Sequence, residues 1–106
     1  MNLNKYLPLT ETTFYVLLAL LEPGHGYVVM TKVEELSKGS VRIAAGTIYG
    51  IIENLLTLKM IKSVPSTDKR RKIYQTTSDG LEVMALEIDR LTKLTALAVK
   101  MKEAIK

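Results

Sequence analysis

Apolar residues recur at helical spacing in four stretches of the chain and alternate at strand spacing in a short region between the third and fourth. Phe14, Leu17, Leu18 and Leu21 mark the buried stripe of a first helix, with Thr10 as its cap, Glu11 in its first turn and Pro23-Gly24 as its stop. A second helix begins at Gly26-Tyr27 and runs to about Ser37. Val29, Met30, Val33 and Leu36 lie on one face, Lys32, Glu34 and Glu35 on the other, and Gly39 supplies a left-handed stop. After an extended piece, Ser40-Val41-Arg42-Ile43, a third helix starts near Ala44 to Gly46 and continues to about Leu58, with Ile48, Ile51, Ile52, Leu55 and Leu56 forming its apolar side. Met60 to Val64 and Arg71 to Thr76 read as two strands around a turn at Pro65-Ser66-Thr67-Asp68.

Thr77-Ser78-Asp79 caps a last helix that runs almost to the end of the chain. Met84, Ile88, Leu91, Leu94, Ala98, Met101 and Ile105 recur along it at spacings of three and four, the pattern of a coiled-coil seam. A core-facing helix shows the same periodicity, but at 1.5 Å per residue this one reaches about 40 Å, more than so small a core can cover. Its far half needs another chain, and these seven residues are the candidate homodimer contact.

Composition narrows the chemistry. A length of 106 residues with 47% hydrophobic content suits one compact domain with no internal repeat or linker. With Cys 0 there is no disulfide framework, zinc finger or thiol nucleophile, the single histidine, His25, cannot assemble a metal cluster without carboxylate help, and no metal or other cofactor is expected. His25 reads as a surface hydrogen-bonding residue in an interhelical turn. Glu34 and Glu35 are adjacent on a helix and point about 100° apart, so they are a solvated face and not a catalytic pair. No nucleophile triad, Walker loop or Rossmann glycine pattern is present, so the chain is not read as an enzyme. The longest apolar run, Phe14 to Leu21, is too short for a membrane span, and the first eight residues lack the features of a secretion signal. A cytoplasmic protein without membrane contact is expected.

The formal charge is +4, and the charge is concentrated at the hairpin. Lys69, Arg70, Arg71 and Lys72 stand together there, and crowding them costs repulsion that a phosphate backbone relieves. Strand alternation implies that two or three of the four face one way. Upstream, the third helix offers a polar side with little charge, on which Gly46 permits close approach to a phosphate, Thr47 and Tyr49 supply neutral hydrogen bonds, and Asn54 could read adenine. The competing reading of Tyr49 is a core anchor. A helix able to enter the major groove, followed by a cationic hairpin able to hold flanking phosphates, is the arrangement of a winged helix on double-stranded DNA.

These residues resemble the PadR family of bacterial transcriptional regulators over nearly the whole chain. The resemblance rests on His25-Gly26-Tyr27, Ala45-Gly46-Thr47-Ile48-Tyr49-Gly50, Arg70-Arg71-Lys72-Ile73-Tyr74, Asp79-Gly80 and Glu87-Ile88-Asp89-Arg90-Leu91. It implies a mainly α fold, a winged helix-turn-helix with a two-stranded wing and a long C-terminal dimerisation helix, as in the short-tailed branch of the family. Residues 1–76 would form the DNA-binding region, with Tyr27 among its contacts, and residues 77–106 the dimerisation helix. The implied function is DNA-binding regulation of transcription, as a repressor on a palindromic promoter site. A small apolar or phenolic effector is admitted as a partner, although with Trp 0 the tryptophan stacking of some drug-sensing relatives is not available. Lys59 stands where the family commonly has glycine, Thr76 where the strand commonly ends in leucine, and Ala44 where a capping serine is frequent. Two rival functions remain: a winged-helix module for protein interaction, and a sensor of an apolar ligand whose output is release from DNA.

Overall fold

The computed structural model describes residues 2–67 and 70–105. After a 3-10 turn at Leu3–Tyr6, the chain forms α1 (Glu11–Ala19), α2 (Gly26–Leu36) and α3 (Ala45–Thr57). An antiparallel pair follows, β1 (Ile61–Val64) and β2 (Ile73–Thr76), and then α4 (Ser78–Ile105). Ile61 pairs with Thr76 and Val64 with Ile73. The result is the mainly α winged helix-turn-helix that the sequence pattern predicts, with the hairpin as its wing.

The helix ends follow from local chemistry. The Thr10 hydroxyl accepts from the Thr13 N–H at 3.0 Å, capping α1. Thr77 does the same for α4 through the Gly80 N–H at 3.0 Å, while its own hydroxyl donates to the Lys59 carbonyl at 2.8 Å and ties that helix to the end of α3. Both α2 and α3 close on paired carbonyl bonds of the Schellman type. Gly39 N–H reaches Glu34 and Lys38 N–H reaches Glu35; Met60 N–H reaches Leu55 and Lys59 N–H reaches Leu56. In each, a lysine and not a glycine takes the left-handed position: Lys38 has φ 53° and Lys59 φ 61°. The stop expected at Gly39 therefore begins one residue earlier, with Gly39 following at φ 82°.

α1 ends four residues before Pro23. The segment after it is drawn off to pair with β2: the Thr76 N–H donates to the Leu20 carbonyl at 2.8 Å, and Gly24 and Tyr74 exchange bonds of 3.0 and 2.9 Å. With the helix already finished, Leu21 is exposed and leaves the expected stripe. The core face of α1 is Val16, Leu17 and Ala19, continued by Leu20 just past its end, while Phe14 and Leu18 are only half-buried on its other side. Leu36, at the last position of α2, is likewise exposed. The core is completed by Val29 and Val33 of α2, Ile48, Ile52 and Leu55 of α3, Met60 and Ile61 beside the wing, Tyr74, and Val83 of α4.

The first turns of α4 belong to this core. A Cβ at Gly80 would lie 2.3 Å from the Met60 carbonyl oxygen, so glycine is what lets the helix touch the backbone there. Met84 is 5% exposed and Glu87 1% exposed. The buried Glu87 carboxylate accepts from the Leu9 N–H and from Arg90 Nε, which satisfies its charge and fastens the N-terminal segment to α4. Beyond it every described residue from 91 to 105 is exposed. The radius of gyration, 15.7 Å, exceeds the roughly 13 Å of a compact domain of this length because that half projects. Among the described residues no helix is long and apolar enough to cross a membrane.

Candidate nucleic-acid interface

α3 packs against the start of α2 through Ile52, whose side chain approaches Gly26. A Cβ at Gly26 would also come within 3.1 Å of Tyr49 Cε1, so one edge of the Tyr49 ring lies over that glycine. The remainder of the ring is open, with Tyr49 56% exposed and Tyr27 67% exposed. Tyr49 is thus seated against the fold without being a core anchor. Both helices begin without a side-chain cap, at His25 and at Ala44 as its sequence implies, so no side chain quenches the positive end of either helix dipole.

The wing closes this region on one side. Tyr27, Tyr49, Glu53, Arg70, Arg71 and Lys72 line a single open groove of about 790 Å³ together with His25 and Tyr74. Arg71 and Lys72 precede β2, which starts only at Ile73, so strand alternation does not separate them and the three described cations share one groove. Lys69 lies outside the described residues. The Tyr74–Gly24 pairing explains the placement: it docks the returning strand beside the start of α2 and brings the residues before it across the mouth of the helix pair.

Not all the candidate contacts on α3 meet in that groove. Successive helical residues turn by about 100°, which sets Thr47 and Asn54 about 140–160° around the axis from Tyr49. Gly46, Thr47 and Asn54 are exposed, yet none of them lines the groove. The exposed surface of α3 therefore has two flanks, an aromatic one next to the wing and a Thr47–Asn54 one away from it, separated by the bare backbone of Gly46 and Gly50.

Two groove residues were not singled out as contacts by their sequence. His25 Nε2 lies 3.2 Å from Arg71 Nη1. A guanidinium has no acceptor, so in this contact Arg71 donates and the imidazole nitrogen accepts. The contact joins residues 46 apart, and no local pattern signals it. Glu53 is different: it follows Tyr49 by one helical turn, so the helical period does place it on the same flank. Along α4, Ile88, Leu91, Leu94, Met101 and Ile105 are 41–79% exposed and Ala98 is exposed, whereas Met84 is taken up by its own chain's core. The apolar stripe open to a partner thus begins at Ile88.

The model of the transcriptional regulator PadR-like family matches residues 14–86. Among solved structures, a PadR family transcriptional regulator from Eggerthella lenta is 27% identical, with 86% of this chain and 80% of that one covered at a TM-score of 0.70. A PadR-like transcriptional regulator from Bacillus cereus is 19% identical, covering 92% and 95% at a TM-score of 0.69. RosR of H. salinarum shares the fold at 18% identity, covering 93% and 98% with a TM-score of 0.65. No curated relative matches the chain in sequence.

Proposed function

Because the chain belongs to the PadR-like family of transcriptional regulators, we propose that it acts in the cytoplasm as a homodimeric repressor, occupying a palindromic promoter site and so excluding transcription. The observation behind this reading is the groove in which Tyr27 and Tyr49 stand opposite Arg70, Arg71 and Lys72. The tyrosines offer neutral hydrogen bonds to phosphate or sugar, the wing cations release counterions from the flanking backbone, and α3 enters the major groove between them. Thr47 and Asn54, on the far flank of α3, reach the opposite wall of that groove. Specificity then divides between the two flanks, and non-specific grip belongs to the wing.

The second half of the proposal is the dimer. Leu94, Leu97, Ala98, Met101 and Ile105 form an open apolar face on the projecting part of α4. Left in water, such a stripe is an unburied coiled-coil seam; paired with a second copy, it sets two α3 helices at a fixed spacing, which a palindrome matches. Fluorescence titration onto the fragment upstream of the chain's own coding sequence, beside a scrambled duplex of equal length, tests the reading. Tighter, salt-dependent binding to the upstream fragment is expected. Equal affinity for both duplexes would favour the protein-interaction module instead.

One observation also favours a response to an effector. Leu9, Phe14, Tyr15, Leu18 and Leu91 surround an apolar cleft of about 510 Å³ between α1 and α4, with Thr10, Glu11 and Glu87 at its polar edge. Its size and lining suit a small apolar or phenolic molecule. It lies at the point where α4 leaves the core, so occupancy there would alter the angle of the dimer arms.

A further inference from the structure

We infer that Glu53 is a base-reading residue that selects cytosine, by accepting a hydrogen bond from the exocyclic amino group exposed in the major groove; the inference rests on the DNA-binding reading of the groove. Glu53 lines that groove beside Tyr49 and opposite Arg70, Arg71 and Lys72. Among the described residues its carboxylate has no ion-pair or hydrogen-bond partner, and the one bond at this position is its backbone carbonyl accepting from the Thr57 hydroxyl. An acid that balanced the wing within the folded chain would be paired with one of those cations. This one is left facing outward.

Its position on α3 gives it reach. The helical repeat sets Glu53 on a ridge turned away from the buried Ile48, Ile52 and Leu55, roughly in line with Gly50 one turn and Gly46 two turns before it. Nothing lies within 4 Å of where a Cβ at either glycine would stand. Alanine would fit both places and is a far better helix former, so internal packing gives no reason for glycine. What the two glycines do provide is a helix with no side chains on the approaching edge of its first two turns. Such a helix can sink closer to the base pairs, and Glu53 is the first side chain on that ridge to meet them.

The chemistry of the acceptor then selects the base. A carboxylate offers only lone pairs, and it is repelled by the N7 and O6 acceptors of guanine, the O4 of thymine and the N7 beside the adenine amino group. The cytosine N4 amino group is the donor without an adjacent acceptor on the same base edge. Phosphates repel the same carboxylate, so Glu53 also weakens binding wherever no cytosine is in register. It thereby raises the ratio of specific to random binding.

Selection of duplexes from a randomised pool by the full chain, by Glu53→Gln and by Glu53→Ala tests this directly. Because Glu53 is exposed, equal melting temperatures are expected for all three proteins. The unmodified chain should enrich a motif with cytosine at one position of each half-site, favoured by about 5- to 150-fold over other bases in competition. Glu53→Gln should move that position to adenine, which an amide reads bidentately, and Glu53→Ala should lose the preference there while the other positions stand. Both variants should bind random duplex more tightly than the unmodified chain. A motif unchanged at every position in both variants, or one lacking a required cytosine, overturns the role of Glu53 and leaves the regulator reading intact. If the unmodified chain enriches no motif at all, the regulator reading fails and this inference with it.

Discussion

The two parts of α4 on either side of Glu87 are written in the same residue types and have opposite surroundings. Before it, Gly80, Val83 and Met84 are buried against Met60, Thr76 and the core of the helix-turn-helix. After it, Ile88, Leu91, Leu94, Leu97, Met101 and Ile105 are all exposed. Met84 and Ile88 are one turn apart on the same side of one helix, yet one closes the core and the other faces solvent. An apolar stripe therefore says that a helix has a partner without saying which. In this chain the surroundings of that stripe change from core to solvent within a turn, and Glu87, bonded to Leu9 and Arg90, marks the boundary.

The sharpest way to break that contrast is to place the same charge on each side of it. Met84→Glu puts a carboxylate into the core without a partner, and the expected loss is about 4 kcal/mol or more of unfolding free energy in urea melts. Ile88→Glu should keep the helical circular dichroism of the unmodified chain but raise the dimer dissociation constant by about 100-fold in sedimentation equilibrium, as expected for a charge placed in an apolar contact. If Ile88→Glu stays as dimeric as the parent, the distal stripe is not the contact.

The wing gives a third, independent axis. Arg70→Ala combined with Arg71→Ala touches neither side of α4, so melting and dimerisation should stand. Binding to selected and random duplex should weaken together, with the salt slope falling by roughly 0.9 per lost phosphate contact in each protomer. An unchanged slope would remove the wing from the interface. The smallest expected effect is a gain: Lys59→Gly relieves a side chain from a left-handed backbone position at the junction of α3 and the wing, and should add about 1 kcal/mol to unfolding while leaving DNA affinity unaltered.

Much of this architecture is legible in local sequence because its causes are local. Thr10 and Thr77 announce helix starts by hydroxyl capping, Ala44 announces an uncapped one, and the helical stripes of α2 and α3 name Val29, Val33, Ile48, Ile52 and Leu55 as core. The departures have long-range causes. α1 stops early because Gly24 pairs with Tyr74, fifty residues on, and not because of Pro23. The second strand begins at Ile73 and not at Arg71, which leaves the three described wing cations in a turn where period-two alternation has no meaning. The His25–Arg71 contact has the same character. The candidate residues are legible one by one but their arrangement is not: Tyr27, Tyr49, Arg70, Arg71 and Lys72 meet in one groove, while Thr47 and Asn54 occupy another flank of α3. Glu53 sits at the helical period from Tyr49, and the periodicity that identified the core face of α3 identifies its place as well.

If the projecting part of α4 joins two copies, the folded heads meet DNA in pairs. Sedimentation velocity of the full 11.8 kDa chain mixed with a duplex that it has itself selected measures this in one experiment. Two chains on each duplex, with no one-chain complex at substoichiometric protein, is the predicted result. A single chain bound with full specificity to one duplex would contradict it.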